Sequence, residues 1–253
     1  MFRRLTPLML GYLLVSMLVL FGMAINAHSQ TLYWNVPAPS IMSTDRFNVA
    51  LPLYSRPWNT ASGPAESVYV QGVYGTGPVS LLPGHSEFGI NIGPVDLRNL
   101  HNSAPFMDAT MKTQLLRTHL GTGNSTTFIT LNFGNNVGIG LSGDTAGHVR
   151  DYVYSTVGMQ FGLTGMHISA GPYYATRDVF DNRARMGGQF TFEQPLPFLP
   201  GVSFVADHHT GHNGAWTMGP MYSKGPDSIG LGYSFSNNGR RDDTLLVLVS
   251  RIF

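Results

Sequence analysis

The decamer TLLVLVSRIF, residues 244–253, decides the fold class of this chain. Leu245, Val247, Val249 and Phe253 stand at alternate positions, the spacing that puts side chains on one face of a β-strand. Arg251 shares that face, and its long side chain can reach an interfacial layer while its stem stays in apolar surroundings. The decamer therefore predicts a strand with one apolar face and an aromatic last residue.

This strand resembles the closing strand of bacterial outer-membrane β-barrel proteins, whose assembly machinery reads a terminal Phe or Trp. The resemblance is to the class and singles out no family. It implies a Gram-negative outer-membrane location, contacts with outer-membrane lipids and with the barrel-assembly machinery, and a role for Phe253 as the assembly signal.

Composition supports a barrel wall and excludes some functions. Charged residues make up 11% of the 253 residues, well below the roughly 25% of ordinary soluble domains. The net charge of +1 does not indicate a basic surface for nucleic-acid binding. The chain has no Cys, so disulfides and Cys-based metal sites are absent, and we expect no cofactor.

The amino terminus has the layout of an export signal. Arg3 and Arg4 precede an apolar run over 8–24, and small residues follow at Ala24 and Ala27. This order predicts a cleaved Sec-type signal peptide over residues 1–27. The alternative is a retained anchor, since the run approaches the length of a spanning helix.

Residues 28–66 are predicted to form a leader or plug segment before a barrel over 67–253. The leader contains one alternating stretch, 47–53, and three placements are open: at the periplasmic mouth, inside the lumen, or as a further strand. Pro52 and Pro57 argue against a central strand, because Pro cannot donate to a strand ladder.

About twelve alternating runs follow, separated by Gly, Asn, Asp and Pro. Tight turns are predicted at 134–136 and 162–165. With the carboxy terminus in the periplasm, both turns are periplasmic, but so is the long connection 94–104, which fits poorly. The runs are approximately 68–75, 86–93, 105–117, 126–133, 136–142, 151–161, 165–175, 185–194, 201–209, 214–222, 228–237 and 243–253.

Within the runs, one face is apolar and the other is small or polar. Several runs reach about ten residues, the length that a tilted strand needs to cross a bilayer, and aromatic residues cluster near their ends. We therefore predict an all-β fold, an antiparallel transmembrane β-barrel of about 12 strands within a range of about 8 to 14. A soluble periplasmic β-sandwich is the alternative, because it alternates as well.

Five charged side chains are predicted to line the lumen: Glu87, Asp108, Lys112, Glu193 and Asp207. With mixed sign they form a weakly selective channel wall, or they pair across the lumen and close it. In the channel case, small solutes are the predicted partners.

The densest polar stretch, residues 207–213, suggests two further sites. Asp207, His209 and His212 have donor groups that suit a divalent metal. His208 and Thr210 faintly resemble the His-x-Ser pair of outer-membrane lipid A deacylases, although Thr replaces Ser and no acidic partner can be assigned. The more ordinary interpretation is a polar hairpin.

The sequence thus predicts a passive narrow pore or a structural wall protein in the outer membrane, and it favours a non-enzymatic role without deciding the question. The alternatives are an outer-membrane lipid A or phospholipid hydrolase, and the soluble sandwich.

Overall fold

The computed structural model describes residues 42–55, 66–78, 84–97, 103, 105–143, 146–176, 186–210, 214–236 and 243–253. The predicted signal peptide and most of the predicted leader lie outside these ranges. Within them, no helix is long and apolar enough to span a membrane. The strands are β1 Phe47–Ser55, β2 Glu66–Pro78, β3 His85–Asp96, β4 Phe106–Leu120, β5 Thr127–Gly140, β6 Val149–Phe161, β7 His167–Ala175, β8 Met186–Pro195, β9 Val202–His209, β10 Ala215–Lys224, β11 Asp227–Ser236 and β12 Thr244–Ile252.

The twelve strands form one closed antiparallel barrel, in which each strand pairs with its neighbours in sequence. β12 closes the ring on β1, with Asn48 opposite Ile252 and Ser55 opposite Leu245. The prediction of an antiparallel barrel of about 12 strands is confirmed. A two-sheet sandwich is excluded, because closure leaves no second sheet.

The predicted count of twelve is right through two compensating errors. Residues 134–136 form no turn, because β5 runs through them without interruption and pairs with β4 and β6 on both sides. The runs 126–133 and 136–142 are therefore one strand. The missing strand comes from the leader, whose alternating stretch forms β1, so the barrel begins at Phe47 rather than at residue 67.

Pro52 lies inside β1 where the ladder to β2 is interrupted. Pairing runs from Phe47 to Ala50 and resumes at Leu53, so the missing N–H is not needed at this point. On its other edge, Pro52 faces Leu248 of β12. Proline is thus accommodated by a local gap in one ladder, and the stretch still forms a wall strand.

These changes also move the connections between the two rims. The rim at which Phe253 lies, called here the carboxy-terminal rim, carries the turns 121–126, 162–166, 196–201 and 225–226. Asp96 and Phe106, the ends of β3 and β4 that the connection 97–105 joins, lie on the opposite rim. The long connection between these strands therefore does not share a rim with the tight turns, and the poor fit expected for 94–104 does not arise.

The two faces of the wall differ sharply. Outward side chains are large, apolar and exposed, such as Ile90 at 57%, Val157 at 54% and Leu231 at 49%. Inward side chains are buried: an apolar group of Ala50, Val205, Met221, Leu246 and Leu248 fills one side of the lumen. An aromatic group of Tyr152, Tyr154, Tyr173 and Ala175 fills the other.

Residues 42–46, just before β1, reach into the lumen at the carboxy-terminal rim. A turn over residues 43–46 precedes β1, with the Arg46 N–H donating to the Ser43 carbonyl and the Asp45 N–H to the Gly75 carbonyl. Asp45 has a φ of 59°, which is unusual outside glycine. Met42, just before the turn, is fully buried.

Candidate functional site in the barrel lumen

A buried ion pair joins β3 to β4 inside the barrel. Glu87 lies opposite Lys112 in the strand register, and Lys112 Nζ is 2.9 Å from Glu87 Oε1. The Met42 backbone N–H donates to Glu87 Oε2 at 2.8 Å. The carboxylate therefore holds together two wall strands and the chain segment that precedes β1.

A second ion pair spans three strands. Asp108 of β4 and Arg150 of β6 are both opposite Gly138 of β5, and the Arg150 Nε–H donates to Asp108 Oδ1 at 2.6 Å. The guanidinium also contacts Asp108 Oδ2 and lies 4.1 Å above the Phe106 ring centroid. The predicted run begins at residue 151, so Arg150 lies outside the predicted strand and was missed as a lumen residue. Its position one residue before a predicted strand was the available signal.

Glu193 lies opposite His167 on β7 and β8, with Glu193 Oε2 3.8 Å from His167 Nδ1. Both side chains are about one-fifth exposed, so this contact is more open than the two ion pairs. All five residues predicted to line the lumen thus lie on the inward-facing side of their strands.

Asp207 lies at the centre of a belt of hydroxyl groups. Its register neighbours are Thr191 on β8 and Thr217 on β10, and all three side chains are fully buried. The belt continues on both sides through hydrogen-bonded hydroxyl pairs. Thr191 pairs with Ser169 at 2.6 Å, and the Thr217 hydroxyl donates to Ser234 at 2.9 Å.

Aromatic and amide side chains pack against the β6 to β9 side of the lumen. The Tyr152 hydroxyl donates to Gln189 Oε1 at 2.5 Å and lies 3.1 Å from His209 Nε2. The Tyr173 ring stacks on Tyr152 at 5.4 Å, and its hydroxyl donates to the Thr210 carbonyl at 2.6 Å. These contacts tie four strands together through the lumen.

Packing explains why Gly134, a residue type common in turns, lies inside β5. A Cβ at this position would come within 2.2 Å of Tyr154 Cζ. Glycine is therefore required by the close approach of the Tyr154 ring to the backbone, and the reason is packing rather than chain reversal.

His208 and Thr210 are not brought together. His208 points outward, where its ring stacks on Trp216 at 4.2 Å and its Nδ1 lies 3.1 Å from the Ala215 carbonyl oxygen. Thr210 Oγ1 accepts a hydrogen bond from the Gly188 N–H at 2.7 Å. It lies beside Gly187 together with the inward Tyr173 hydroxyl. The two side chains thus turn to opposite sides of the wall.

The predicted metal donors are divided in a similar way. Asp207 and His209 share the inner face, whereas His212 lies outside the described residues. Among the described residues, no group of three His, Cys, Asp or Glu side chains is placed to hold a metal ion. His209 contacts the Tyr152 hydroxyl and the edges of two tyrosine rings.

The carboxy-terminal residue is fixed by β1. The Phe253 N–H donates to the Phe47 carbonyl at 2.7 Å, and the Phe47 N–H donates back at 3.2 Å. Arg251 is opposite Asp227 in the register, with 3.6 Å between Nε and Oδ1, and its guanidinium lies 5.5 Å from the Phe253 ring centroid. The outward arginine thus has an acidic partner on the next strand. The role of Phe253 in assembly stays a prediction.

Comparison with solved structures supports the fold class. The outer membrane phospholipase A from Escherichia coli matches with a TM-score of 0.51 and 10% identity, over 81% of this chain and 91% of that one. An outer membrane channel from Pseudomonas putida F1 matches with a TM-score of 0.49 and 9% identity, over 90% of this chain and all of that one. No protein-family model matches the sequence. No curated protein matches it either.

The chain is an outer-membrane β-barrel protein by fold. The closed ring of antiparallel strands, the exposed apolar outer face and the phospholipase likeness agree on this class. A fold does not define an activity, so the function is inferred below from the side chains of the lumen and the outer wall.

Proposed function

We propose that this protein is a structural wall barrel of the outer membrane, with a lumen closed by its own side chains. The observation that carries the proposal is the complete burial of Thr191, Asp207 and Thr217 on the inner face. An aqueous channel would leave such polar side chains exposed to water, as in porins. A small barrel has little interior space, and side chains can fill it.

Four charged side chains of the lumen are paired with one another rather than presented to a solute. Glu87 binds Lys112 and the Met42 N–H, and Asp108 binds Arg150. Opposite charges held at contact distance cancel locally and leave no field of one sign to select an ion. This arrangement corresponds to the predicted alternative in which charges pair and close the lumen.

The hydrolase alternative has less support. A nucleophile and its base must lie within hydrogen-bond reach, and here His208 faces outward while Thr210 Oγ1 bonds the Gly188 N–H. The likeness to a phospholipase, at 10% identity, concerns the fold. Acyl release measures this alternative directly. With the protein added, acyl release from phospholipid and lipid A vesicles should equal that of protein-free vesicles.

Planar bilayers test the proposal. The wild-type protein should insert without conductance steps. A double variant, Tyr152→Ala with Tyr154→Ala, removes two rings from the lumen and serves as the matched control, and we expect it to conduct. Both proteins must first show heat-modifiable migration on gels, which reports a folded barrel. Stepwise conductance of the wild type would refute the closed-lumen proposal.

A further inference from the structure

A short arm of the chain, residues 42–46, lies against the inner face of β2 and is called here the latch. Gly75 faces the lumen, because it alternates with the buried, inward Val73. A Cβ on Gly75 would lie 2.2 Å from the Ser43 carbonyl oxygen and 2.7 Å from Met42 Cγ. The lack of a side chain at Gly75 therefore leaves the space that the latch occupies.

The latch turns back at the rim and leads directly into β1. Thr44 lies beside Gly77, where an added Cβ would be 3.6 Å from Thr44 Cγ2. The Gly75 N–H donates to the Arg46 carbonyl at 2.8 Å, and the Asp45 N–H donates to the Gly75 carbonyl at 3.0 Å. The latch therefore has its deepest end at its first residue and reverses at the rim before β1 begins.

The deep end of the latch is bonded to a buried ion pair. Met42 is fully buried, and its backbone N–H donates to Glu87 Oε2 at 2.8 Å. The other oxygen, Glu87 Oε1, is 2.9 Å from Lys112 Nζ, so one carboxylate binds both the cation and the latch. A charged acceptor makes a stronger hydrogen bond than a neutral one, and burial strengthens it further. This bond ties the latch to β3 as well as to β2.

We propose that the latch seals the lumen at the carboxy-terminal rim and that its displacement from β2 opens a water-filled passage. This proposal rests on the closed lumen proposed above. A ring of twelve strands leaves little interior space, so an arm of chain inside the wall fills much of the mouth. The latch lies on the β2 to β3 side, whereas the tyrosine rings fill the β6 to β9 side, so each closes a separate part of the lumen. Because the latch precedes the wall strands, it can move while the β1–β12 ladder stays closed.

A matched pair of glycine substitutions tests this arrangement. Gly75→Ala places a methyl group too close to Ser43 and Met42, and such overpacking should displace the latch. Gly77→Ala meets Thr44 at ordinary contact distances of 3.6 and 3.7 Å and should leave the latch in place. Because the chain has no Cys, a Met42→Cys background reports where the latch lies. A small water-soluble maleimide should label this thiol about tenfold faster with Gly75→Ala than with Gly77→Ala.

Planar bilayers then test the seal, once heat-modifiable migration has shown that each barrel is folded. Gly75→Ala should conduct in steps, whereas Gly77→Ala and the wild type should not. Equal labelling of the two glycine variants, or faster labelling of Gly75→Ala without conductance, would overturn the latch proposal. Conductance of the wild type would instead refute the closed lumen itself, so the two failures are distinguishable.

A second pair of variants leaves the wall strands unchanged. Met42→Asp places a carboxylate at a fully buried position, next to the backbone N–H that bonds Glu87, and burial of this unpaired charge should expel the latch from the lumen. Met42→Leu keeps an apolar side chain of similar volume and is the control. We expect conductance steps for Met42→Asp and none for Met42→Leu. A folded Met42→Asp barrel that stays closed contradicts the proposal, whatever the result for Gly75→Ala.

Discussion

The two faces of this barrel hold their polar contacts in different surroundings. On the inner face, Glu87 is buried and bonded to Lys112 and to a backbone N–H. On the outer face, the hydrogen bond from the Tyr233 hydroxyl to Asp243 Oδ2 is exposed. Water can replace an exposed bond but cannot reach the buried ion pair. Stability should therefore depend more on the inner contacts than on the outer ones.

The largest effect is expected at the buried ion pair. Lys112→Met leaves the Glu87 carboxylate in the lumen without its cation, which should cost about 3–5 kcal/mol of unfolding free energy. Guanidinium unfolding from lipid vesicles measures this. The double variant Glu87→Gln with Lys112→Met is the control and should recover most of the loss. A Lys112→Met barrel as stable as the wild type would show that the pair is dispensable.

Removing one tyrosine hydroxyl from each face should lower the unfolding free energy by a smaller amount. Tyr152→Phe deletes the inner hydroxyl that bonds Gln189 Oε1 at 2.5 Å, which should cost about 1–2 kcal/mol. Tyr233→Phe deletes an exposed outer hydroxyl that bonds Asp243 Oδ2 at 2.6 Å, and water can replace that bond. The same vesicle assay should therefore show a much smaller loss for Tyr233→Phe. Equal losses would remove the distinction between the two faces.

The smallest effect is expected for Asn135→Leu on the outer face of β5. An amide that makes no bond through its oxygen contributes little to the barrel, so the unfolding free energy should change by less than about 0.5 kcal/mol. The same vesicle assay measures this change. A loss of several kcal/mol would show that Asn135 stabilises the barrel.

The fold class could be predicted because apolar and polar residues alternate with a period of two, which is typical of strands whose faces meet different solvents. Individual strand bounds were predicted wrongly where a residue type occurs in both turns and strands. Gly134 and Asn135 are typical turn residues, but here one makes room for Tyr154 and the other faces outward from mid-strand. Pro52 led to the prediction that β1 is not a central strand. The gap in the β1–β2 ladder that accommodates this proline cannot be predicted from the sequence.

The inward charges could be predicted individually, but their partners could not. Glu87 and Lys112 become neighbours through the β3–β4 register, which depends on the whole hairpin. Asp108 and Arg150 meet across an intervening strand, so their pairing requires two registers at once. His208 and Thr210 show the reverse case, since spacing suggested a pair and the end of β9 turns the two side chains apart.

Thiol labelling tests the closed lumen most directly. In this Cys-free chain, Thr191→Cys and Thr217→Cys place a thiol at fully buried inner positions, and Lys224→Cys places one at an exposed position. A small water-soluble maleimide should label Lys224→Cys completely while both inner cysteines stay unmodified in the folded barrel. Labelling of the inner cysteines as fast as Lys224→Cys would mean that water fills the lumen, and would contradict the closed barrel.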